Sequence, residues 1–256
     1  MKFEHTRVMN FEGAFRGMRN PKNSWDKSDS GCLYHAFPNF SPEDKNAERY
    51  DRWNREFDFN FKLGEKDLAL AQNLIRAGSE HRKFLRQVFV CVDITAPLYF
   101  FKELDTYKIG TVANSTSTMH KLAETPITID CFETDDCQSD LEYYIDDGGD
   151  SPVSWKVSEI SEGIIEELEL LRKKYLETND KRYWKELIRW LPESWLQTRT
   201  VTLNYENLLA MCSKGQRRFH KLNEWSGIDN PNVPNFISWA RTLPYAQELI
   251  FIDETD

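Results

Sequence analysis

Apolar residues recur at helical spacing between Glu65 and Ala77, and Gly78 follows them directly. This pattern predicts a helix over residues 65–77 that ends at the glycine. Ser79 is suited to cap a short second helix that runs to Arg86. The first half of the chain therefore contains at least one helix with a clear amphipathic face.

The next segment changes from helical to alternating periodicity. Residues 87–94 place valines and an isoleucine on one face and Phe89 and Cys91 on the other, and Pro97 closes the run. This pattern predicts a mostly buried strand. A helix is expected over 98–109. The following residues, 110–120, are rich in hydroxyl groups with little to bury, which favours a ligand-binding loop.

The second half of the chain has a predominantly helical pattern. Apolar stripes predict helices over 157–175, 183–191, 204–212 and 236–243. Basic residues gather between the last two of these helices: Lys214, Arg217, Arg218, His220 and Lys221. Residues 1–62 show no sustained period, and we interpret them as strand and loop.

Charge narrows the possible function classes. The 256 residues contain 33 Lys and Arg against 42 Asp and Glu, a net charge of −9, which disfavours general nucleic-acid binding but permits a local basic pocket. Nine acidic residues lie between positions 130 and 150. Their spacing does not match a calcium-binding loop, so we expect a solvated acidic loop and no metal site.

Hydrophobic residues make up 40% of the chain, which is enough for a substantial core and excludes disorder as the main state. The five cysteines are scattered and never form a C-x-x-C pair, so we expect reduced thiols. Neither a long apolar run nor a signal-peptide pattern is present, which predicts a cytoplasmic protein without membrane contact. Aromatic residues, at 13%, could fill the core, a subunit interface or a planar-ligand site.

The common catalytic signatures are missing from the sequence. It has no P-loop, G-x-G-x-x-G, H-E-x-x-H or nucleophile elbow. A functional site must therefore be assembled from separate segments. The richest segment is 78–121, which combines a histidine, lysines, a tyrosine and the hydroxyl-rich loop.

The order of these segments resembles that of the flavin-dependent thymidylate synthases. That family carries His-x-Ser-Pro-Phe-Glu-His, a strand ending in proline, an Arg-Gln pair, an Arg-His-Arg triplet, a polar Ser-x-Asn-Glu-x-Ser-x-Arg-Tyr loop and a later Asn-x-Arg-x-Leu helix. The corresponding positions here are His81 to Gln87, Val90 to Pro97, Lys102-Glu103, Thr106-Tyr107-Lys108, and Thr111 with Asn114 and Thr116 or Ser117. Further on, Leu191-Pro192 followed by Thr200 to Leu209 is similar to the family's Leu-Pro, Tyr-Thr and Asn-x-Arg-x-Leu elements. Arg217, followed by Leu222-Asn223, is similar to the family's Arg-x-x-x-x-Ala-Gln element.

The resemblance implies an α/β (α+β) fold with a central, mainly antiparallel sheet and packed helices. It implies a single domain over residues 1–256, with an acidic insertion at about 130–150, that assembles as a homotetramer. The implied ligands are FAD, a pyrimidine nucleotide such as deoxyuridine monophosphate, and NADPH and methylenetetrahydrofolate as co-substrates. The implied reaction is methyl or one-carbon transfer to the base, without an enzyme nucleophile.

Site residues follow from the matched positions. The implied substrate-binding residues are Lys108, Thr111, Asn114, Ser117, Arg217 and Arg218. The implied cofactor-binding residues are His81, Gln87, Lys102, Tyr107 and Asn204. We expect Tyr107, Lys108 and the arginines near 217 to converge on one phosphate-sized hollow. Each residue also has a structural alternative, as a solvated charge, a packed ring or a helix cap.

The family triplet is replaced by Thr106-Tyr107-Lys108, which removes one cation and the two-point fork by which arginine grips phosphate. This replacement leaves two functions open. The protein is either a divergent enzyme acting on a pyrimidine deoxynucleotide, or a non-catalytic descendant that binds a nucleotide or another protein.

Overall fold

A computed structural model describes residues 1–32, 61–107, 109–117, 122–135, 141–145, 153–213 and 219–254. The described strands are β1 (Lys2–Met9), β2 (Gly31–Cys32), β3 (Phe61–Lys62), β4 (Phe89–Pro97), β5 (Val112–Ser115), β6 (Glu142–Ile145), β7 (Val153–Lys156) and β8 (Leu196–Asn204). The described helices are α1 (Phe11–Met18), α2 (Glu65–Ala77), α3 (Leu98–Leu104), α4 (Val157–Thr178), α5 (Lys181–Arg189), α6 (Tyr205–Cys212), α7 (Asn223–Ser226), α8 (Phe236–Arg241) and α9 (Ala246–Leu249). Short 3₁₀ turns cover Asn20–Lys22, Trp25–Lys27, Lys83–Gln87, Ile129–Cys131 and Ile252–Glu254.

Four strands form the main sheet, in the order β1-β4-β8-β5. Two further antiparallel pairs are small: β2 with β3, and β6 with β7, where Glu142 lies opposite Lys156 and Ile145 opposite Val153. Helices alternate with several of these strands along the chain. The predicted α+β fold with a central, mainly antiparallel sheet is confirmed.

The chain divides into two compact units, each built from segments that are distant in sequence. Unit 1 comprises Met1, Thr95–Asp105 and Asn114–Arg199. Unit 2 comprises Lys2–Ile94, Thr106–Ala113 and Thr200–Asp256.

The core of unit 2 is aromatic. The ring of Phe11 lies 5.4 Å from that of Phe61 and 5.3 Å from that of Tyr205, and the ring of Phe15 lies 5.5 Å from that of Phe84. All five rings are buried. Large rings provide much apolar area per residue, so part of the aromatic excess in the composition serves the core.

The core of unit 1 lies under helices α4 and α5. Its buried members are Leu122, Ile127, Phe132, Leu168 and Leu187. Leu168 comes from α4 and Leu187 from α5, and the other three come from the segment that precedes the helices. This cluster joins the two helices and that segment into one hydrophobic core.

Several predicted elements match the structure. Helix α2 has the predicted bounds, and Gly78 follows it with a φ of 111° that suits glycine. The predicted helices over 157–175, 183–191, 204–212 and 236–243 correspond to α4, α5, α6 and α8. The predicted strand is β4, shifted by two to three residues toward the C-terminus.

Other predictions need correction. Residues 11–18, expected as strand or loop, form helix α1, because Phe11, Ala14, Phe15 and Met18 fall on one buried face. The helix expected over 98–109 ends at Leu104, its last buried residue. The hydroxyl-rich loop contains strand β5, and the capped helix expected from Ser79 to Arg86 is only the 3₁₀ turn at Lys83–Gln87.

Strand β8 was not predicted, although Val201 and Leu203 alternate as buried residues. The predicted acidic loop contains the 3₁₀ turn at Ile129–Cys131 and strand β6. In the described part of the chain, no helix has the length and apolarity needed to cross a lipid bilayer.

Candidate functional site

The segment after α1 is fixed to the first turn of α2 by two aspartates. The carboxylate of Asp29 accepts hydrogen bonds from the backbone N–H groups of Lys66 (2.9 Å) and Asp67 (3.0 Å), which otherwise lack partners at a helix start. These bonds lower the pKa of Asp29, that from Lys66 most of all. A side chain at Gly64 would collide with the main chain of Asp29, so the helix starts at a glycine.

The second aspartate, Asp67, is fully buried. It accepts hydrogen bonds from Arg19 Nε (2.7 Å), Ser28 Oγ (2.6 Å) and the backbone N–H of Ser30 (3.1 Å). Burial acts to raise the pKa of Asp67, but the bonds from Ser28, Ser30 and Arg19 outweigh it, so the pKa lies below its usual value. Together the two carboxylates hold residues 19–30 in place against α2.

A cavity of about 840 Å³ lies beside this segment, within unit 2. We call it the basic cavity. Its apolar lining is Met18, Leu70, Leu74 and Phe84. Its polar and charged lining is Arg19, Asn20, Lys22, Ser24, Lys27, Glu80, His81, Lys83 and Gln87. This volume lies within the usual range of small-molecule and cofactor sites.

The cations of the basic cavity differ in their pairing. Arg19 is paired with buried Asp67, and Lys83 Nζ lies 3.4 Å from Glu80 Oε2. Lys22 and Lys27 are exposed and form no ion pair with a described residue. The cavity therefore offers two unpaired ammonium groups beside apolar surface, an arrangement that suits a ligand with a ring system and a negatively charged group.

Two of the predicted cofactor-binding residues, His81 and Gln87, line this same cavity. Both are exposed and lie at or just before the 3₁₀ turn at Lys83–Gln87. The backbone oxygen of Gln87 accepts a hydrogen bond from Asn10 Nδ2 (3.0 Å). Sequence reasoning missed Lys22 and Lys27, which lie about 60 residues earlier in the chain.

Tyr107 and Thr111 are hydrogen-bonded to each other in unit 2. Thr111 Oγ1 donates a hydrogen bond to the backbone oxygen of Tyr107 (2.9 Å). The half-buried ring of Tyr107 lies 5.7 Å from that of Trp225, which is fully buried. Tyr107 is thus a packed ring, and its predicted contact with flavin stays a prediction.

Asn204 has a structural role at the start of α6. Its side chain accepts a hydrogen bond from the backbone N–H of Asn207 (3.0 Å), and the side chain of Asn207 accepts one from the backbone N–H of Asn204 (3.2 Å). This reciprocal pair caps α6. Asn207 Nδ2 also donates to the backbone oxygen of Ile109 (2.8 Å). Gly110, with a φ of 79°, lets the chain pass close to Asn204. The Asn-x-x-Asn spacing was the available signal for this cap.

The other predicted residues are more dispersed. In unit 1, Lys102 pairs with Glu193 (2.7 Å), Asn114 is exposed on β5, and Ser117 is half-buried. Lys108, Arg217 and Arg218 lie outside the described residues, so the predicted phosphate-sized hollow stays a prediction. Among the described residues, no group of three or more His, Cys, Asp or Glu side chains is placed to hold a metal ion.

Comparison with solved structures identifies the fold. The chain is similar to the flavin-dependent thymidylate synthase ThyX from Helicobacter pylori complexed with FAD and dUMP, with a TM-score of 0.57 and 16% identity over 99% of each chain. A second structure of ThyX from H. pylori with FAD and dUMP gives a TM-score of 0.59 and 16% identity over 99% of this chain and 98% of the other. No protein-family model and no curated protein matches the sequence.

Proposed function

We propose that the protein is a divergent flavin-dependent thymidylate synthase-like enzyme that binds FAD and acts on a pyrimidine deoxynucleotide monophosphate. The observation that carries this proposal is the basic cavity, where His81 and Gln87 meet two unpaired lysines beside apolar surface. The fold it shares with ThyX, which was solved with FAD and dUMP, supports the same ligands.

The residues of the cavity fit a flavin nucleotide. Met18, Leu70, Leu74 and Phe84 offer apolar surface to a planar ring, and the side chains of His81 and Gln87 offer hydrogen bonds to ring heteroatoms. Lys22 and Lys27 are placed at the same cavity for the phosphates. Bound FAD would supply the redox chemistry, while these side chains bind and orient it. NADPH and methylenetetrahydrofolate are the proposed co-substrates.

A second candidate is a binding protein without turnover. It is favoured by the packing of Tyr107 against Trp225, because that position corresponds to the histidine of the family's Arg-His-Arg triplet. A ring held by a buried tryptophan has less freedom to reach a ligand. In this case the cavity keeps its nucleotide ligand, and the chemistry is lost.

The test is a flavin titration of the purified protein. We expect FAD to bind, with a change in flavin fluorescence that follows the titration. The Lys22→Ala/Lys27→Ala variant should bind it about 10- to 100-fold more weakly, because two charge-assisted contacts are removed. The control is Lys62→Ala/Lys66→Ala, which removes the same charge from exposed positions outside the cavity. It should bind FAD as the wild type does.

Turnover separates the two candidates. With FAD, NADPH, methylenetetrahydrofolate and dUMP, the enzyme should form thymidylate, which is detected by chromatography. Binding of FAD and dUMP without product would favour the second candidate. A colourless protein whose melting temperature does not respond to FAD or dUMP would contradict both.

A further inference from the structure

Unit 1 carries a second large concavity, which we call the acidic groove. It has a volume of about 600 Å³ and lies between α4, α5 and strand β7. Its walls expose apolar side chains: Trp190 is 66% exposed, Trp155 44%, Ile164 42% and Ile160 40%. Apolar patches of this kind on a protein surface mark sites of interaction.

The floor of the groove is part of the core. Leu168 lines the groove and is only 1% exposed, and it packs in the same buried cluster as Leu187. Leu171 also lines the groove and packs against that cluster. The groove is therefore a preformed feature of two packed helices, which lowers the entropy cost of binding a partner.

The described charged residues that line the groove are all acidic. Three glutamates line it, Glu159, Glu167 and Glu186, and no described lining residue is a lysine or arginine. Glu159 accepts a hydrogen bond from the backbone N–H of Lys156 (2.7 Å). Glu186 accepts one from Trp190 Nε1 (3.1 Å) and is paired with Arg189, three residues later on α5. Glu167 is exposed and forms no ion pair with any described residue.

These charges argue against a second copy of the chain as the occupant. A two-fold interface places the same surface against itself, so the glutamates of one copy would face those of the other. The first fifteen residues of α4, 157–171, hold five glutamates and no lysine or arginine. Like charges brought together at an interface are costly, and a positively charged partner avoids that cost.

We propose that the acidic groove docks a basic amphipathic helix of a partner protein. The lining of α4 runs from Glu159 to Leu171, about 18 Å along the helix axis, which matches about three turns of a partner helix. Apolar anchors on one face of that helix would enter between Trp155 and Trp190. Lysines or arginines beside the anchors would meet Glu159 and Glu167, since Glu186 is already paired with Arg189.

The probe is a synthetic 18-residue helical peptide with leucines at i, i+3, i+4 and i+7 and lysines at the other positions. The control peptide has the same leucines and glutamates in place of the lysines. We expect the lysine peptide to bind the full chain, with at least tenfold higher affinity than the glutamate peptide, as measured by fluorescence anisotropy of the labelled peptide. Raising the salt concentration should weaken this binding.

Two matched pairs of variants test the location. Glu167→Lys reverses a charge in the groove, and Glu162→Lys makes the same change at an exposed position of α4 that does not line it. Ile164→Asn removes an apolar wall, and Leu176→Asn makes a comparable change elsewhere on α4. We expect each groove variant to weaken lysine-peptide binding about tenfold and each control to change it less than twofold.

Several outcomes would overturn the proposal. Equal binding of the two peptides, or no binding at about 100 μM, would exclude a basic helix as the occupant. Equal effects of Glu167→Lys and Glu162→Lys would remove the groove from the interaction. Self-association of the wild type that Ile164→Asn abolishes and Leu176→Asn does not would assign the groove to a second copy. None of these results depends on FAD binding.

Discussion

The basic cavity and the acidic groove have similar volumes but are built in opposite ways. The basic cavity has a wall of loop and 3₁₀ turns, residues 19–27, fixed through Asp29 and buried Asp67. The acidic groove has walls of regular helix and hairpin over a floor of leucines. One surface depends on a few polar bonds, and the other depends on hydrophobic packing.

This difference shows how a protein with a net negative charge can present a basic surface in one place and an acidic surface in another. In the basic cavity, Asp67 neutralises Arg19, whereas Lys22 and Lys27 form no ion pair with the residues that the structure describes. In the acidic groove, the apolar face of α4 packs inward through Leu168, and Glu167 stays exposed. The net charge of −9 therefore describes neither surface.

The largest predicted effect is a loss of stability when the buried ion pair in the wall of the basic cavity is broken. Asp67→Ala should lower the free energy of unfolding by about 3–5 kcal/mol, because it leaves the buried guanidinium of Arg19 without its partner. Urea denaturation at neutral pH measures the loss. The control is Asp26→Ala, an exposed aspartate of the same segment, with an expected change within about 0.5 kcal/mol.

A double variant separates charge from packing at this position. Arg19→Met with Asp67→Leu removes both charges and should recover part of the stability, since apolar replacement of a buried pair is often close to neutral. The recovery should be incomplete, because Ser28 and the backbone N–H of Ser30 still lose their acceptor. If Asp67→Ala costs no more than Asp26→Ala, the wall of the cavity does not depend on the buried pair, and the contrast between the two surfaces fails.

A smaller loss of stability is predicted for substitution of Glu169, which lies on α4 but does not line the acidic groove. Its carboxylate accepts hydrogen bonds from Arg172 (2.6 and 2.7 Å) and from the backbone N–H of Ile127 (2.9 Å), and Arg172 Nη1 donates to the backbone oxygen of Ala123 (3.0 Å). The bonds from Arg172, more than that from Ile127, lower the pKa of Glu169 to about 2.

A carboxylate whose pKa is lower in the folded state stabilises the fold above its unfolded pKa, and this contribution disappears as the pH falls toward the folded value. We expect Glu169→Gln to cost about 1–2 kcal/mol at pH 7, after a discount for partial exposure, and progressively less as the pH falls from about 4.5 toward 2. Denaturation of both proteins across that range measures the difference. A difference that stays constant with pH, or that Glu162→Gln reproduces, would contradict the prediction.

The sequence predicted best what is encoded locally. Helix α2 was predicted with its observed bounds because its apolar period and the glycine that ends it lie within fourteen residues. Helix α1 was missed because its eight residues include two glycines, and its helical state depends on burial of Phe11 and Phe15 against Phe61 and Phe84. Those contacts span about 50 to 70 residues, so no local pattern reveals them.

The candidate sites show the same division. His81 and Gln87 were predicted because the family resemblance runs through their own segment. Both line the basic cavity, and their contact with a cofactor stays a prediction. Lys22 and Lys27 were not predicted. The position of their segment depends on Asp29, whose carboxylate binds the backbone N–H of Lys66 at the start of α2, 37 residues later in the sequence.

The apolar stripe over 157–175 was predicted as one face of a helix. Ile160 and Ile164 of that stripe are exposed, because no described element covers them. Hydrophobic periodicity identifies such a face but does not show whether another element packs against it.

The smallest predicted effect is the change in stability when a helical glycine is replaced by alanine at each of the two surfaces. Gly163 lies on α4 at the acidic groove, and a Cβ added there would meet no atom within 4 Å. Gly163→Ala should therefore raise the free energy of unfolding by about 0.5–1 kcal/mol, because alanine favours the helix. Gly17 lies on α1 at the basic cavity, and its added Cβ would lie 3.0 Å from Gln87 Oε1.

At Gly17 the same gain in helix propensity is opposed by the displacement of the Gln87 side chain. We expect the stability of Gly17→Ala to stay within about 0.5 kcal/mol of the wild type. Its affinity for FAD should fall, because Gln87 has moved, whereas Gly163→Ala should bind FAD unchanged. Urea denaturation and flavin titration of both variants provide the comparison. If Gly17→Ala gains as much stability as Gly163→Ala and binds FAD normally, then Gln87 is not held against α1, and its assignment to the flavin site loses its geometric support.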